Sequence, residues 1–461
     1  MDTKRFTLDT TLTLIAAYLG LFVGLIDANA INLALPAIRD NLGGGISGAQ
    51  WTIDAYNITF AAVLLTAGSL GDRFGRRTLL RLGLVMFIGA SLVCAAASSL
   101  PLLLAARAVQ GMGAAVMLPQ GLAITAAAFP NPIERARATA AWAIAAALST
   151  AIGPILGGVL TDTLGWRYIF WLNAPVGVIA LLMTYRYLPE SRDPDAARFD
   201  VPGQTLAMLG LGALTIVLVE GRTMAPAWTV ALAAIAIGAI AAFLRTQRRG
   251  THPMLPLDLF RSHRLVAALV ATFTMTFGIY GLLLVNSFAF QHQRGASALA
   301  TALWFLPMPL TYLVLIPVVN TLAHRTGPRL PMTAGLTLMA AGMALYAAAG
   351  PQADVGLLEL SFVLAGAGLA LNTGPAVGLA MSAVPVQRAG LASGVVNLAR
   401  LVGITVGVAV LGSAMAAFPG AEGARIATML GGLAQLIGAA VALRWALPEV
   451  PAPMQKEVCH A

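Results

Sequence analysis

The sequence predicts an all-α integral membrane protein of 14 transmembrane helices, built as two pseudo-symmetric six-helix bundles with two helices inserted between them. Composition is the first reason. Of 461 residues, 58% are apolar and only 10% charged, and the mean hydropathy is +0.82. A soluble domain averages about 45–50% apolar and about 25% charged residues. So few charges cannot cover so large an apolar surface, and lipid has to do it. The second reason is the recurrence of apolar runs long enough to cross roughly 30 Å of hydrocarbon, which takes about 20 residues. The third is a motif that returns at a nearly constant distance along the chain.

The first six spans fall near 12–35, 50–70, 79–98, 102–128, 138–160 and 168–188. Lys4 and Arg5 precede the first of them, and Ala28-Asn29-Ala30 imitates a signal-peptidase site. The apolar run nevertheless continues to Leu35 and further spans follow, which reads as an uncleaved first helix. Two spans near 202–220 and 227–244 come next, and the last six lie near 265–290, 299–323, 330–349, 355–384, 390–417 and 424–447.

The basic residues test this count. Of the 28 Lys and Arg, 21 fall in the N-terminal, even-side and C-terminal segments, against five on the opposite side: Arg39, Arg167, Arg222, Arg294 and Arg425. Arg107 and Arg400 lie inside spans. Such a bias puts both termini in the cytoplasm by the positive-inside rule. The net charge of +9 therefore reports topology rather than a nucleic-acid partner. Cys94 in an apolar run and Cys459 in the tail make neither a disulfide framework nor a metal site.

Asp72-Arg73-Phe74-Gly75-Arg76-Arg77 follows the second span, and His324-Arg325-Thr326-Gly327-Pro328-Arg329 stands 252 positions later. Gly111-Met112-Gly113 returns as Gly366-Ala367-Gly368 and Pro130 as Pro385, both 255 positions on. The offset implies an N-terminal bundle over 1–198, linker helices over 199–250, and a C-terminal bundle with a short cytoplasmic tail over 251–461. Paired repeats place a substrate path at their interface.

Asp27 is the most informative residue, because an acid inside a span is costly and marks an ion or substrate path. Burial and a nearby cation push a carboxyl's proton affinity in opposite directions, so an acid there can change protonation as its surroundings rearrange. At 1.5 Å per residue, Asp27 lies about 12–14 Å below the outer end of its helix and Arg107 about 9 Å below the same side. The two can pair, either as a proton-coupling site or as a static ion pair between helices. Asp54 and Glu359 stand near the outer ends of their helices, where each either attracts cations to a vestibule or is a solvated interfacial group. Arg400 has no obvious acidic neighbour; its role is structural or serves an anionic substrate. Ser149, Gly153 and Gly157 recur every four residues, a stripe that admits another helix closely. Pro154 removes a backbone hydrogen bond within it. Gly71 and Gly75 permit a tight bend beside Asp72, whose arginine neighbours can anchor lipid headgroups and helix ends. Trp51, Tyr56, Trp142, Tyr280 and Trp304 either line a cavity or belong to interfacial belts.

These residues resemble the major facilitator superfamily, and specifically its fourteen-helix drug–proton antiporter branch. Gly68-Ser69-Leu70-Gly71-Asp72-Arg73-Phe74-Gly75-Arg76-Arg77 is similar to the superfamily's loop signature between helices two and three. Leu25-Ile26-Asp27 with Ile31-Asn32-Leu33-Ala34-Leu35-Pro36 resembles the branch's first-helix motif. Arg107, Gln110, Gly111 and Gly113 match its fourth-helix motif, and Gly153-Pro154-Ile155-Leu156-Gly157-Gly158 the fifth-helix motif associated with antiporters. Gly394, Asn397, Arg400, Gly403 and Gly407 resemble a late helix of the branch. Ala28, Ala30, Leu401 and His324 depart from it, so the resemblance names no solute. It implies proton coupling through Asp27 and Arg107 and a conformational role for Gly68, Asp72, Arg73, Gly75, Arg76 and Arg77. Together with the charges read directly from the spans, the candidate substrate path runs past Asn32, Asp54, Glu359, Asn397 and Arg400. Gly153, Pro154, Gly157 and Gly158 would form a seal or pivot.

An ATP-driven pump on this chain is excluded, since a Walker A loop needs Gly-Lys and neither Lys4 nor Lys456 follows glycine. No His-Glu-x-x-His or Gly-x-Ser-x-Gly motif argues for an enzyme. The expectation is a secondary active exporter of a drug-like or small metabolite solute in exchange for protons, with no cofactor, no metal and no nucleic acid. A metabolite uniporter or symporter, and a non-transporting receptor or scaffold, are the alternatives. The expected setting is a bacterial inner membrane, with the chain monomeric or joined by accessory efflux proteins.

Overall fold

A computed structural model describes residues 8–129, 131–192, 200–250, 253–350, 352–384, 388–418 and 420–446. Pro130 and Pro385 of the repeat lie outside these residues, as do Lys4, Arg5, Lys456 and Cys459; the side chain of His324 is not described. The N-terminal half contains α1 (Leu8–Leu42), α2 (Gly45–Phe74), α3 (Arg76–Ala95), α4 (Leu100–Ala128), α5 (Pro132–Thr163) and α6 (Arg167–Tyr187). Next come α7 (Val201–Glu220) and α8 (Pro226–Arg249). The C-terminal half contains α9 (His263–Phe288), α10 (Ala298–Phe305), α11 (Pro307–Thr326), α12 (Arg329–Ala349), α13 (Val355–Ser382), α14 (Ala389–Ala417) and α15 (Ala421–Trp445). Among the described residues 13 helical stretches are long and apolar enough to span a membrane, and α2, bent by 57° between Leu64 and Thr66, makes a fourteenth. The span expected near 299–323 is found as one stretch, Ala298–Ala323, whose ladder is interrupted at Leu306 because Pro307 has no N–H to continue it.

Small residues bring the helices together, as expected where lipid removes the hydrophobic drive for helix association. A Cβ on Gly153 or Gly157 of α5 would run into α1, at Asn29 and Ala30 respectively. In the other half, Gly403 and Gly407 of α14 meet α9 in the same way, at Phe273 and Phe277. The repeat extends to positions the motifs do not include. Gly113 abuts Gly83 as Gly368 abuts Gly335, and Gly111 meets the Tyr56 carbonyl as Gly366 meets that of Met308.

The halves meet along α2 and α14, α5 and α10, and α1 and α9. The inserted α7 packs on both α2 and α14. The Gln204 amide donates to the Ala62 carbonyl at 2.6 Å, and the Ser413 hydroxyl donates to the Leu218 carbonyl at 2.7 Å, so α7 lies across that seam. α8 is largely exposed, with Trp228, Val230 and Ile237 turned outward as on a lipid-facing surface.

Hydrogen bonds between the halves gather at the face opposite the arginine-rich loops. Ser287 donates to the Asn32 carbonyl at 2.7 Å, and Gln291 to the Leu33 carbonyl at 3.0 Å. Gln50 donates to the Val408 and Ala409 carbonyls at 3.0 and 2.8 Å. The Asp162 carboxylate, near the end of α5, accepts from the Ala298 and Leu299 amides at 3.0 and 2.8 Å and so closes the first turn of α10.

Candidate functional site

Asp27 is fully buried in α1, and its two oxygens are held from two neighbouring helices. Arg107 of α4 donates to Oδ2 at 2.6 Å. Gln110 of α4 and Asn173 of α6 donate to Oδ1 at 3.2 and 2.7 Å. Ser91 of α3 accepts from the same two amides at 2.9 and 3.3 Å. Arg107 and Gln110 can act together because residues three apart share a helix face. The absence of a side chain on Gly111 then lets α2 approach that face.

Arg107 is only 1% exposed and is held on the other side by α2. Its Nε donates to the Thr52 carbonyl at 3.0 Å, and its guanidinium lies 4.4 Å from the Tyr56 ring centre. Two buried charges are tolerable only when paired and fully hydrogen-bonded, and here both carboxylate oxygens and the guanidinium have partners. Asn173, Ser91 and Thr52, which the sequence had not named, complete a cluster with Asp27, Arg107, Gln110 and Tyr56. Asn173 left one visible signal, an amide in the middle of an apolar run beside Pro175.

The cluster touches a central cavity from one side. This cavity, about 890 Å³ of empty space with its open part included, is walled by α1, α2, α4 and α5 of one half and by α9 and α14 of the other. Arg107, Asn32, Asn397 and Arg400 all line it. A second cavity of about 550 Å³ lies towards α11 and α13; Tyr280 and Arg400 line both. Asn32 uses its amide nitrogen on α1's own backbone, at Ala28 and Asn29, and leaves its side-chain oxygen buried without a partner. Asn397 likewise donates to the Ser393 carbonyl at 3.2 Å.

Asp54 lines neither of these cavities. It is fully buried, with no hydrogen-bond partner on either carboxylate oxygen, which contrasts with the solvated interfacial alternative raised from sequence. About two turns of α2 lie between it and the start of that helix at Gly45. Glu359 is half-buried on α13 and lines neither cavity. Of the aromatics, Tyr56 and Tyr280 line the central cavity. Trp51 instead donates to Glu220 of α7 at 3.0 Å, and Trp304 packs edge-on against Phe290. The side chain of Trp142 is not described.

The arginine-rich loop is built around a residue that the sequence did not single out. Gly75 has φ +103°, a left-handed conformation that favours glycine, and a Cβ there would strike the Glu190 carboxylate. Glu190 accepts from the backbone amides of Arg77 and Thr78 at 3.0 and 3.2 Å and from the Thr78 hydroxyl at 2.6 Å. It thus satisfies free N–H groups at the start of α3, where the helix dipole favours a negative charge. Asp72 pairs with Arg76 one turn on at 2.8 Å, and Arg77 donates to the Leu188 carbonyl at 3.0 Å. Arg73 is exposed beside Phe74, and Gly68 faces open space. In the fifth-helix motif Gly153 and Gly157 face α1, whereas Gly158 faces the other half, against Ala298, Leu299 and Ala302 of α10.

Comparison with known proteins agrees with this architecture. The family model described as Major Facilitator Superfamily matches residues 17–408 and 268–457. The multidrug resistance protein Stp of Mycobacterium tuberculosis is 38% identical over 415 residues, covering 88% of this chain and 76% of that protein. The methylenomycin A resistance protein of Streptomyces coelicolor is 33% identical over 439 residues, covering 92% and 90% respectively. Among solved structures, the POT family transporter PepTSo superposes with a TM-score of 0.69 at 14% identity, covering 94% of this chain and 97% of that one, a likeness of fold alone.

Proposed function

The chain belongs to the major facilitator superfamily and is a multi-pass membrane transport protein, and from that premise we propose that it exports a drug-like or small metabolite solute in exchange for protons. The observation that carries this reading is the Asp27–Arg107 pair, a carboxylate sealed among helices whose partner guanidinium also forms a wall of the central cavity. A proton arriving on Asp27 removes the charge that holds Arg107, leaving the guanidinium free to turn towards the cavity. Loss of the proton draws it back. The protonation state of Asp27 and the occupancy of the cavity are thereby coupled through one side chain. The names of the relatives, resistance proteins for multiple drugs and for methylenomycin A, support a drug-like solute.

Alternating access supplies the transport step. With the arginine-rich face in the cytoplasm, the hydrogen bonds of Asn32, Gln50 and Asp162 close the outer face and the conformation is inward-facing. Gly158 against α10 is then part of the outer seal, and Glu190 with Arg77 ties α3 to the end of α6 within one half. Asp54 is a second buried carboxyl available for a proton. Each elementary charge moved inward supplies about 2.3 kcal/mol per 100 mV. In inverted vesicles an exported solute should dissipate a preset pH gradient, and Asp27→Asn should abolish that response. Unchanged proton release in Asp27→Asn would remove the residue from the coupling role.

A further inference from the structure

Both central cavities are walled by apolar groups with few charges among them, and the two charges present are both positive. Arg107 is already paired with Asp27, whose carboxylate lies behind the wall. Arg400 has no such partner. Its Nε is buried without a hydrogen-bond partner, and among the described residues no carboxylate lines either cavity and no ion pair to Arg400 is formed. The Thr276 hydroxyl is bonded to the Arg400 carbonyl at 3.0 Å, which fixes α14 against α9 at this point but leaves the guanidinium uncompensated. A cation in a low-dielectric cavity without a counter-ion attracts negative charge far more strongly than it would in water.

We propose that the cavities take solutes bearing an anionic group, a carboxylate or an ionised phenol, on an apolar ring body, and that Arg400 is the counter-ion. The geometry divides the work. Around Arg400 the second cavity offers the hydroxyl-bearing side chains of Tyr280, Thr276, Tyr312 and Thr373, a polar end suited to a charged head. The first cavity continues from Arg400 along Leu25, Ile31, Ile53, Phe60 and Leu64, an apolar end suited to the body. Guanidinium matches a carboxylate through two parallel hydrogen bonds, which an ammonium cannot reproduce. The inference rests on the reading of these cavities as the solute path, and it adds to that reading the sign of the solute's charge. A cationic solute would meet the same wall as a repulsion, because among the described residues no acid lines it.

Two xanthene dyes of similar size and opposite charge test this, fluorescein as the anion and rhodamine 123 as the cation. Fluorescence polarisation with the purified full chain in detergent needs no ion gradient, so a failure of proton exchange leaves the measurement readable. The unaltered protein should bind fluorescein about tenfold tighter than rhodamine 123, the scale of one charge-assisted interaction. Arg400→Gln should lose about that factor for fluorescein alone, while Arg400→Lys retains part of it. Should Arg400→Gln not fold, the preference of the unaltered protein and the retention in Arg400→Lys decide the matter. A preference for rhodamine 123, binding of neither dye, or an equal loss of both in Arg400→Gln would overturn the assignment.

Discussion

The two halves share a backbone plan and fill its centre with opposite chemistry. In the N-terminal half, Arg107 and Gln110 donate to Asp27, and Ser91 accepts from Gln110 behind them. At the corresponding offsets of 252 to 255 residues, the C-terminal half has Met343, Phe362 and Ala365. Phe362 is fully buried against Phe290 and Phe305, with ring centres 6.3 and 5.2 Å away. The glycine contacts that set helix spacing are alike on both sides, so the difference lies in the side chains. One half holds a buried, hydrogen-bonded carboxylate. The other is an aromatic block, and Arg400, which faces both cavities, forms no ion pair among the described residues. The proposed exchange of a proton for a solute would use this inequality, because its proton site and its solute site must respond to each other without being the same.

The largest effect should come from breaking the polar half. Arg107→Ala strands the Asp27 carboxylate and should cost about 3–5 kcal/mol of stability. Replacing both partners, Asp27→Leu with Arg107→Met, should recover most of the thermal midpoint while proton exchange stays absent. Phe362→Ala in the other half should also lower the midpoint, by about 3 kcal/mol as for large-to-small core changes, yet leave the proton response of the surviving folded protein intact. Loss of that response in Phe362→Ala would remove the functional distinction between the halves.

A smaller effect sharpens the likeness rather than the difference. Gly157→Val and Gly407→Val each press a branched side chain into the facing helix, at Ala30 and Phe277 respectively. Overpacking of this kind costs about 1–3 kcal/mol, and the two substitutions should shift the thermal midpoint by similar amounts. A large disparity would mean that the two seams are not mechanical equivalents.

The smallest effect lies at the loops. Burial acts to raise the Glu190 carboxyl, but hydrogen bonds from Thr78, Arg77 and Ser191 and the charge of Arg77 outweigh it and hold the group below its ordinary value. A depressed folded value means that the stabilisation is present above the unfolded value, about 4.3, and is lost as the pH falls through the lower folded one. Hydrogen exchange at the start of α3 should therefore rise only in acid, and Glu190→Gln should show the raised exchange at neutral pH as well. In the C-terminal half, Asp258 is likewise held low by its hydrogen bond from Arg388 and that residue's charge. That pair is exposed on both sides, so Asp258→Asn should leave the thermal midpoint almost unchanged.

Much of this was legible in the chain. Apolar run length determined the helices, because a span must satisfy its own backbone in lipid. The bias of arginines predicts which face is cytoplasmic, and the close approaches of Gly111 and Gly366 recur at the offset read from the chain. Asp27 and Arg107 stood out because charge inside a span is costly and so rarely without purpose. Other features could not be read. Asn173 and Ser91 are ordinary polar residues until four helices converge, and Glu190 has no meaning until the end of α6 reaches the first turn of α3. Whether an intramembrane charge is paired, as in Arg107, or left facing a cavity, as in Arg400, depends on which helices are neighbours. Local sequence fixes depth and periodicity along one helix, whereas partnership is decided by the packing of several, and the tertiary structure alone sets that.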